Sequence, residues 1–401
     1  MALIAAILIV LQVLRSCSPA ESRVVPFTEQ SSRDVNCVGL AQPISVSNET
    51  VRRRSLLESS PVGLEVSNNA QVPALFIFGD STVDVGNNNH LATLAQATFW
   101  PYGKDFDTHL PTGRFSDGRL SVDFIANYLG LPLVPSFASG TGFTQGVNFA
   151  SAGSGVLSDT GSVFGEVISF SEQLKNFETV QQMVETEVGA PQALKIMSES
   201  IYYISTGSND FINNFLLPTS PYWQLDSTDF EQLVLANFTQ HVRTLFKMGA
   251  RKIVVVSLSP LGCLPSQLFK MGSIEGACIS PVNKLAMDYN AILAESLHSL
   301  RRHLPGAMLA YNDAYLAFSN LIDNAAFHGI KHTNQSCCGT GLYGGMKPCL
   351  SWTSICQNTS DYLFWDEFHP TAASYKLIAD SFWSGPIELS SPWNVKTLAS
   401  L

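Results

Sequence analysis

Ala74-Leu75-Phe76-Ile77-Phe78-Gly79-Asp80-Ser81 is the stretch on which the reading of the fold turns. Five apolar residues run into a glycine, and an Asp and a Ser follow at once. A short apolar run closed by a turn residue reads as a buried strand. Gly79 allows a tight turn, and Asp80 or Ser81 can cap a helix that begins there. A serine so placed stands at the C-terminal end of a strand, the edge where open α/β sheets bind ligands.

Further along, the same pattern recurs. Gly146 to Ala150 is a second short apolar strand that enters Ser151-Ala152-Gly153. Ile201 to Ser205 is a third, ending in Gly207-Ser208-Asn209-Asp210, and Ile253 to Val256 and Ala307 to Tyr311 make a fourth and a fifth. Helical periodicity lies between them, over 120–129, 168–188, 228–248 and 283–303, and a helix start follows Pro370. Alternation of this kind specifies an α/β fold with a central parallel sheet of about five strands and helices on both faces. It runs unbroken from 72 to 390, which we read as one domain.

The N-terminal part reads differently. Residues 1–20 open with an apolar segment interrupted only by Gln12, followed by the small residues Ser16, Cys17, Ser18 and Ala20. This is the pattern of a secretory signal peptide, an uncleaved anchor being the alternative because no Lys or Arg precedes the apolar run. Residues 21–71 are polar and aperiodic and contain Arg52-Arg53-Arg54, as expected of a flexible pro-segment or linker. Secretion accords with four glycosylation sequons, at Asn48, Asn237, Asn334 and Asn358, and with eight cysteines. Cys263, Cys278, Cys337, Cys338, Cys349 and Cys356 form an even set of six, whose 15 connectivities remain open. No Cys-x-x-Cys pair supports zinc, and no metal or cofactor is expected. His328 and His332 have helical spacing, but Gly329 and the lack of an accompanying Glu favour a surface role. A net charge of −10 argues against nucleic acid as a partner and against docking on anionic membranes.

Three strand ends thus carry pointed chemistry, and parallel strands bring their C-terminal ends to one edge. Asp366 and His369 lie three residues apart, a spacing that lets the carboxylate orient the imidazole. A serine hydroxyl needs such a base, the base needs an orienting acid, and the tetrahedral oxyanion needs fixed donors. The N–H groups of Ser81 and Gly153 and the Asn209 side-chain amide can supply three. Asp84, the 87–89 Asn run and Asp210 read as loop-shaping residues, and Phe364, Trp365 and Phe368 as packing around the histidine loop.

These residues resemble the plant-type GDSL esterase/lipases of the SGNH hydrolase superfamily. The likeness rests on blocks in the family's order: 78–89 around Gly79-Asp80-Ser81, 111–119, 146–153, 207–210, 249–252, 260–265, 337–339 and 364–370. It implies a three-layer flavodoxin-like fold and a secreted, cell-wall or apoplastic serine esterase acting on acyl esters or lipids through an acyl-enzyme. It assigns Ser81, Asp366 and His369 as the triad, and Ser81, Gly153 and Asn209 as the oxyanion hole. An acyltransferase using the same intermediate, or a non-catalytic binding protein on the same fold, is the alternative. Ala152 departs from the second glycine many relatives carry there, whereas Gly153 is retained. The segment before the first strand is longer than the family usually has.

Overall fold

In a computed structural model the described residues are 70–401. The expected signal peptide, nearly all of the expected linker, Arg52 to Arg54, Asn48, Cys17 and Cys37 lie outside them. Strand β1 (Leu75–Gly79) is buried on both faces, which requires apolar side chains at every position rather than alternation. It lies between β2 (Gly146–Asn148) and β3 (Ile201–Ser205), followed outward by β4 (Lys252–Val256) and β5 (Met308–Asn312), all parallel. The strand order 2-1-3-4-5 is that of a doubly wound, flavodoxin-like sheet.

All five expected strands are therefore present. A sixth, which the sequence reading did not contain, is the two-residue β8 (Ser390–Ser391), antiparallel to β5 at the edge. Two residues bear no readable period; the pairing is made by the partner strand. A separate two-stranded sheet, β6 (His332–Ser336) with β7 (Tyr362–Phe364), which the sequence also did not announce, flanks the Cys- and Gly-rich segment between them.

Helices flank the sheet in two groups. One holds α2 (Phe170–Val188), α3 (Ala190–Glu199), α4 (Ser227–Lys247) and, after the short α5 (Pro265–Lys270), α6 (Ser280–His303). The other holds α1 (Ser121–Tyr128), α7 (Ala314–Asp323), α8 (Ala372–Ser384) and α9 (Val395–Ser400). Their starts carry the expected chemistry: Ser169 and Glu172 form a reciprocal capping box on α2, Asp226 caps α4, and Thr371 caps α8. Helices α3, α5, α7 and α9 were not anticipated. Phe76, Phe78, Phe149, Phe177 and Tyr202 pack ring on ring between β1–β3 and α2, forming the aromatic centre of the core.

The six body cysteines pair as Cys263–Cys278, Cys337–Cys356 and Cys338–Cys349. The last two fasten the β6 end to the following loop. The N–H groups of Cys337 and Cys338 donate to the carbonyls of Phe364 and Trp365, so this loop is in register with the chain entering Asp366. No helix among the described residues is long and apolar enough to cross a membrane.

Candidate active site

Ser81 follows β1 on a turn that only glycine permits. Gly79 has φ of 144°, and a Cβ there would lie 1.9 Å from the Ser205 carbonyl oxygen. The Gln173 side chain brackets the same residue, accepting from Gly79 N at 2.9 Å and donating to Gly79 O at 2.9 Å. The expected helix directly after Ser81 is absent. Asp80 closes a local turn by accepting from Thr82 N and Thr82 Oγ1, and only a 3-10 turn at Asn87–His90 follows. Side-chain hydrogen bonding competes there with helix propagation.

The turn from Asp366 to His369 meets this serine. His369 Nε2 lies 2.8 Å from Ser81 Oγ, and His369 Nδ1 lies 2.8 Å from Asp366 Oδ1 and 2.9 Å from Oδ2. Asp366 also accepts from the N–H groups of Phe368 and His369, and Tyr102 donates its hydroxyl to Oδ2 at 2.8 Å. Burial by itself would raise the Asp366 pKa, but the His369 charge and these hydrogen bonds outweigh it and hold the carboxyl below its usual range. For His369 burial works against the charged form, and the adjoining Asp366 carboxylate more than compensates, so the imidazole pKa stands above its ordinary value.

The block 111–119 supports the histidine from the side. Phe115 lies against the imidazole with centroids 4.9 Å apart. Arg114 anchors this loop by a buried two-point pair with Asp123 of α1, at 2.8 Å and 2.7 Å. Ser116 donates to the Pro370 carbonyl, and Asp117 accepts from Ala372 N at the start of α8.

The three candidate oxyanion donors converge as the strand order requires. Among the described residues, neither the Ser81 nor the Gly153 N–H donates to a protein acceptor. Gly153 has φ of 83°, and a Cβ would meet the Phe164 ring at 2.8 Å. Asn209 Nδ2 donates once to Ser154 O at 2.9 Å, leaving its second N–H, while its Oδ1 accepts from Asn213. Asp84 accepts from Gly86 N, Asn87 N and Ala152 N, and Asn87 and Asn88 donate to the carbonyls of Ala150 and Ala152. The loop after β1 is thereby stitched to the loop carrying Gly153, which is the loop-shaping role expected of Asp84 and its asparagines. Asp210 likewise holds its loop, accepting from Val156 N, Leu157 N and Thr160 Oγ1.

Ser81, Gly153, Asn209, Asp366 and His369 all border one cavity of about 430 Å³. Its wall is chiefly apolar, including Leu94, Phe99, Phe164, Ile212, Leu261 and Leu264. Phe364 and Trp365 are core residues as expected, whereas Phe368 is half-buried and borders the cavity. Tyr102, Phe115, Gln173 and Glu367 also belong to the site region. Phe115 and Glu367 lie within the blocks 111–119 and 364–370 but at no spacing that marks a partner, and Tyr102 and Gln173 lie outside every block. His328 and His332 lie elsewhere, His328 edge-on to Phe327 and His332 stacked on Tyr362.

The sequence profile of the GDSL-like lipase/acylhydrolase family matches residues 75–382. The chain belongs to this family. GDSL esterase/lipase 7 of Arabidopsis thaliana is 39% identical over 338 residues, covering 82% of this chain and 92% of that protein. A second Arabidopsis thaliana GDSL esterase/lipase is 39% identical over 334 residues, covering 82% and 86%. Among solved structures, an acetylxylan esterase from Geobacillus stearothermophilus matches at 13% identity and a TM-score of 0.34, over 77% of this chain and 92% of that one. As a GDSL-like lipase/acylhydrolase, the chain is by class a carboxylic ester hydrolase.

Proposed function

We propose that this GDSL-like hydrolase cleaves acyl esters through Ser81, Asp366 and His369 by way of an acyl-enzyme. The observation that carries the reading is the continuous relay from Ser81 Oγ through His369 to Asp366 at 2.8 Å per step. In this mechanism the Ser81 hydroxyl proton passes to His369 Nε2 as Oγ bonds the ester carbonyl carbon. Asp366 fixes the imidazole so that Nδ1 carries its proton and Nε2 is free to accept, and it then stabilises the imidazolium. The carbonyl oxygen, now an oxyanion, takes hydrogen bonds from Ser81 N, Gly153 N and Asn209 Nδ2. Each such donor contributes roughly 3–4 kcal/mol to the transition state in comparable enzymes. Collapse of the intermediate breaks the bond to the alcohol oxygen, which receives the His369 proton and leaves. Water, deprotonated by the same imidazole, then releases the acid and restores Ser81.

The apolar wall of the cavity favours an acyl chain or another lipid-like part of the substrate beside the nucleophile. We read residues 1–20 as a signal peptide, 21–71 as a pro-segment or linker, and 72–390 as the hydrolase domain of a secreted, extracellular protein. The three disulfides and the sequons Asn48, Asn237, Asn334 and Asn358 support that compartment. Ser81→Ala is expected to lower p-nitrophenyl ester turnover by at least about a thousandfold and to abolish labelling by a serine-directed organophosphonate. Full turnover in that variant would remove Ser81 from the chemistry.

A further inference from the structure

Glu367 stands between the two triad residues Asp366 and His369 and borders the same cavity. Its carbonyl oxygen accepts from Ser266 N of α5 at 3.0 Å, which fixes the backbone from which the side chain springs. Its Oε2 is buried and, among the described residues, has no hydrogen-bond partner. Several other polar side chains along this wall are already engaged. Asp80 accepts from Thr82, Tyr102 donates to Asp366, Asn213 donates to Asn209, and Gln96 donates to the carbonyls of Asn88 and Leu91.

A buried carboxyl oxygen without a partner is costly, and native structures tolerate one mainly where function supplies the missing group. Glu367 is part of the wall of an apolar substrate cavity. Burial first, and then the neighbouring Asp366 charge, push the Glu367 carboxyl up to about 7, so that acid and carboxylate forms coexist near neutral pH. A hydroxyl can accept from the acid form and donate to the carboxylate, so it satisfies both. An ammonium can satisfy only the carboxylate and would lose its hydration against an apolar wall.

We propose that Glu367 is a specificity-determining residue, forming a hydroxyl-binding subsite beside the reaction centre that selects esters bearing a free hydroxyl near the scissile carbonyl. The proposal rests on Ser81 being the nucleophile of this cavity. That hydroxyl can belong to the acid part, as in a hydroxyacyl ester, or to the alcohol part, as in a partial glycerol ester. Both present the same group to Glu367.

The test compares matched pairs by pH-stat titration of the full chain. Ethyl 3-hydroxybutyrate against ethyl butyrate probes the acyl side, and 1-butyrylglycerol against propyl butyrate probes the alcohol side. In at least one pair the wild type is expected to favour the hydroxylated ester in kcat/KM by roughly tenfold or more. Glu367→Leu should bring that ratio close to one, chiefly through KM, and Glu367→Ala serves equally where the leucine variant does not fold. Glu367→Gln, which keeps size and hydrogen bonding, should retain the ratio within about threefold. Three results would each overturn the proposal: no preference in either wild-type pair, a ratio unmoved by Glu367→Leu or Glu367→Ala, or a preference for butyrylcholine over all four esters. Ser81→Ala measured alongside separates the two readings. If it remains active, the nucleophile assignment fails. If it is inactive while the ratio ignores Glu367, only the subsite fails.

Discussion

Tyr102 donates its hydroxyl to Asp366 Oδ2 at 2.8 Å across 264 residues of chain. The same phenol packs edge-on against Phe115 and Trp365, so the ring is held while the hydroxyl is aimed. Asp366 therefore receives main-chain N–H groups and the imidazole on one side, and a phenol on the other. A fully satisfied buried carboxylate has little freedom to rotate or to take up a proton.

Removing that phenol hydroxyl should weaken the orientation of His369 without emptying the site. Tyr102→Phe is expected to lower kcat by roughly threefold to tenfold, the equivalent of one hydrogen bond, with KM little changed. It should also move the acid limb of the kcat–pH profile, because a carboxylate that has lost a donor takes up a proton more readily. An unchanged profile and an unchanged kcat would show the hydroxyl to be only a packing feature.

Proton linkage gives the triad opposite signs in activity and stability. Catalysis needs neutral His369, whose pKa stands above its ordinary value because of Asp366. Accordingly kcat/KM should rise with pH along a limb centred above about 6.5. A raised histidine contributes stability that is complete below its unfolded value and is lost as pH climbs through the folded value. The depressed Asp366 contributes stability present above about 3.9 and lost only as pH falls through its lowered folded value. The stability difference between wild type and His369→Gln, from denaturant melts, should therefore be larger at pH 6 than at pH 9. A difference that grows with pH would contradict the assignment.

Asp84 offers a test of the scaffold behind the oxyanion hole. Its Oδ2 accepts from Ala152 N at 3.0 Å, one residue before Gly153. Asp84→Asn would set an amide N–H against that main-chain N–H while leaving shape and volume nearly the same. A loss of about 1–3 kcal/mol in stability is expected, together with a tenfold to hundredfold fall in kcat as Gly153 N moves off its position. A stability loss with kcat intact would confine Asp84 to folding.

Much of the fold was legible because its central strands are buried on both faces. Such strands must be short apolar runs, and β1, β3 and β4 are written that way. The helices were legible where caps and 3.6-residue periodicity coincide, as at Ser169 and Thr371. Strand β8 and the β6–β7 pair were not, because Ser390–Ser391 is too short to show a period and His332 to Ser336 is polar and pairs with a segment about thirty residues away.

For the site itself, the sequence by itself determined which chemistry was available. Ser81 ends a strand, Gly153 and Asn209 end two more, and Asp366 and His369 share one local turn, so their spacing relative to the sheet is a local property. Tertiary structure alone decided what surrounds them. Tyr102 and Glu367 differ from other buried tyrosines and glutamates only by what lies opposite. Those are long-range contacts, set when the 72–120 segment and the chain around 366 pack together over the sheet edge. At Ser81 the strand end was written in the sequence, and the 2.8 Å approach of His369 was made by the fold.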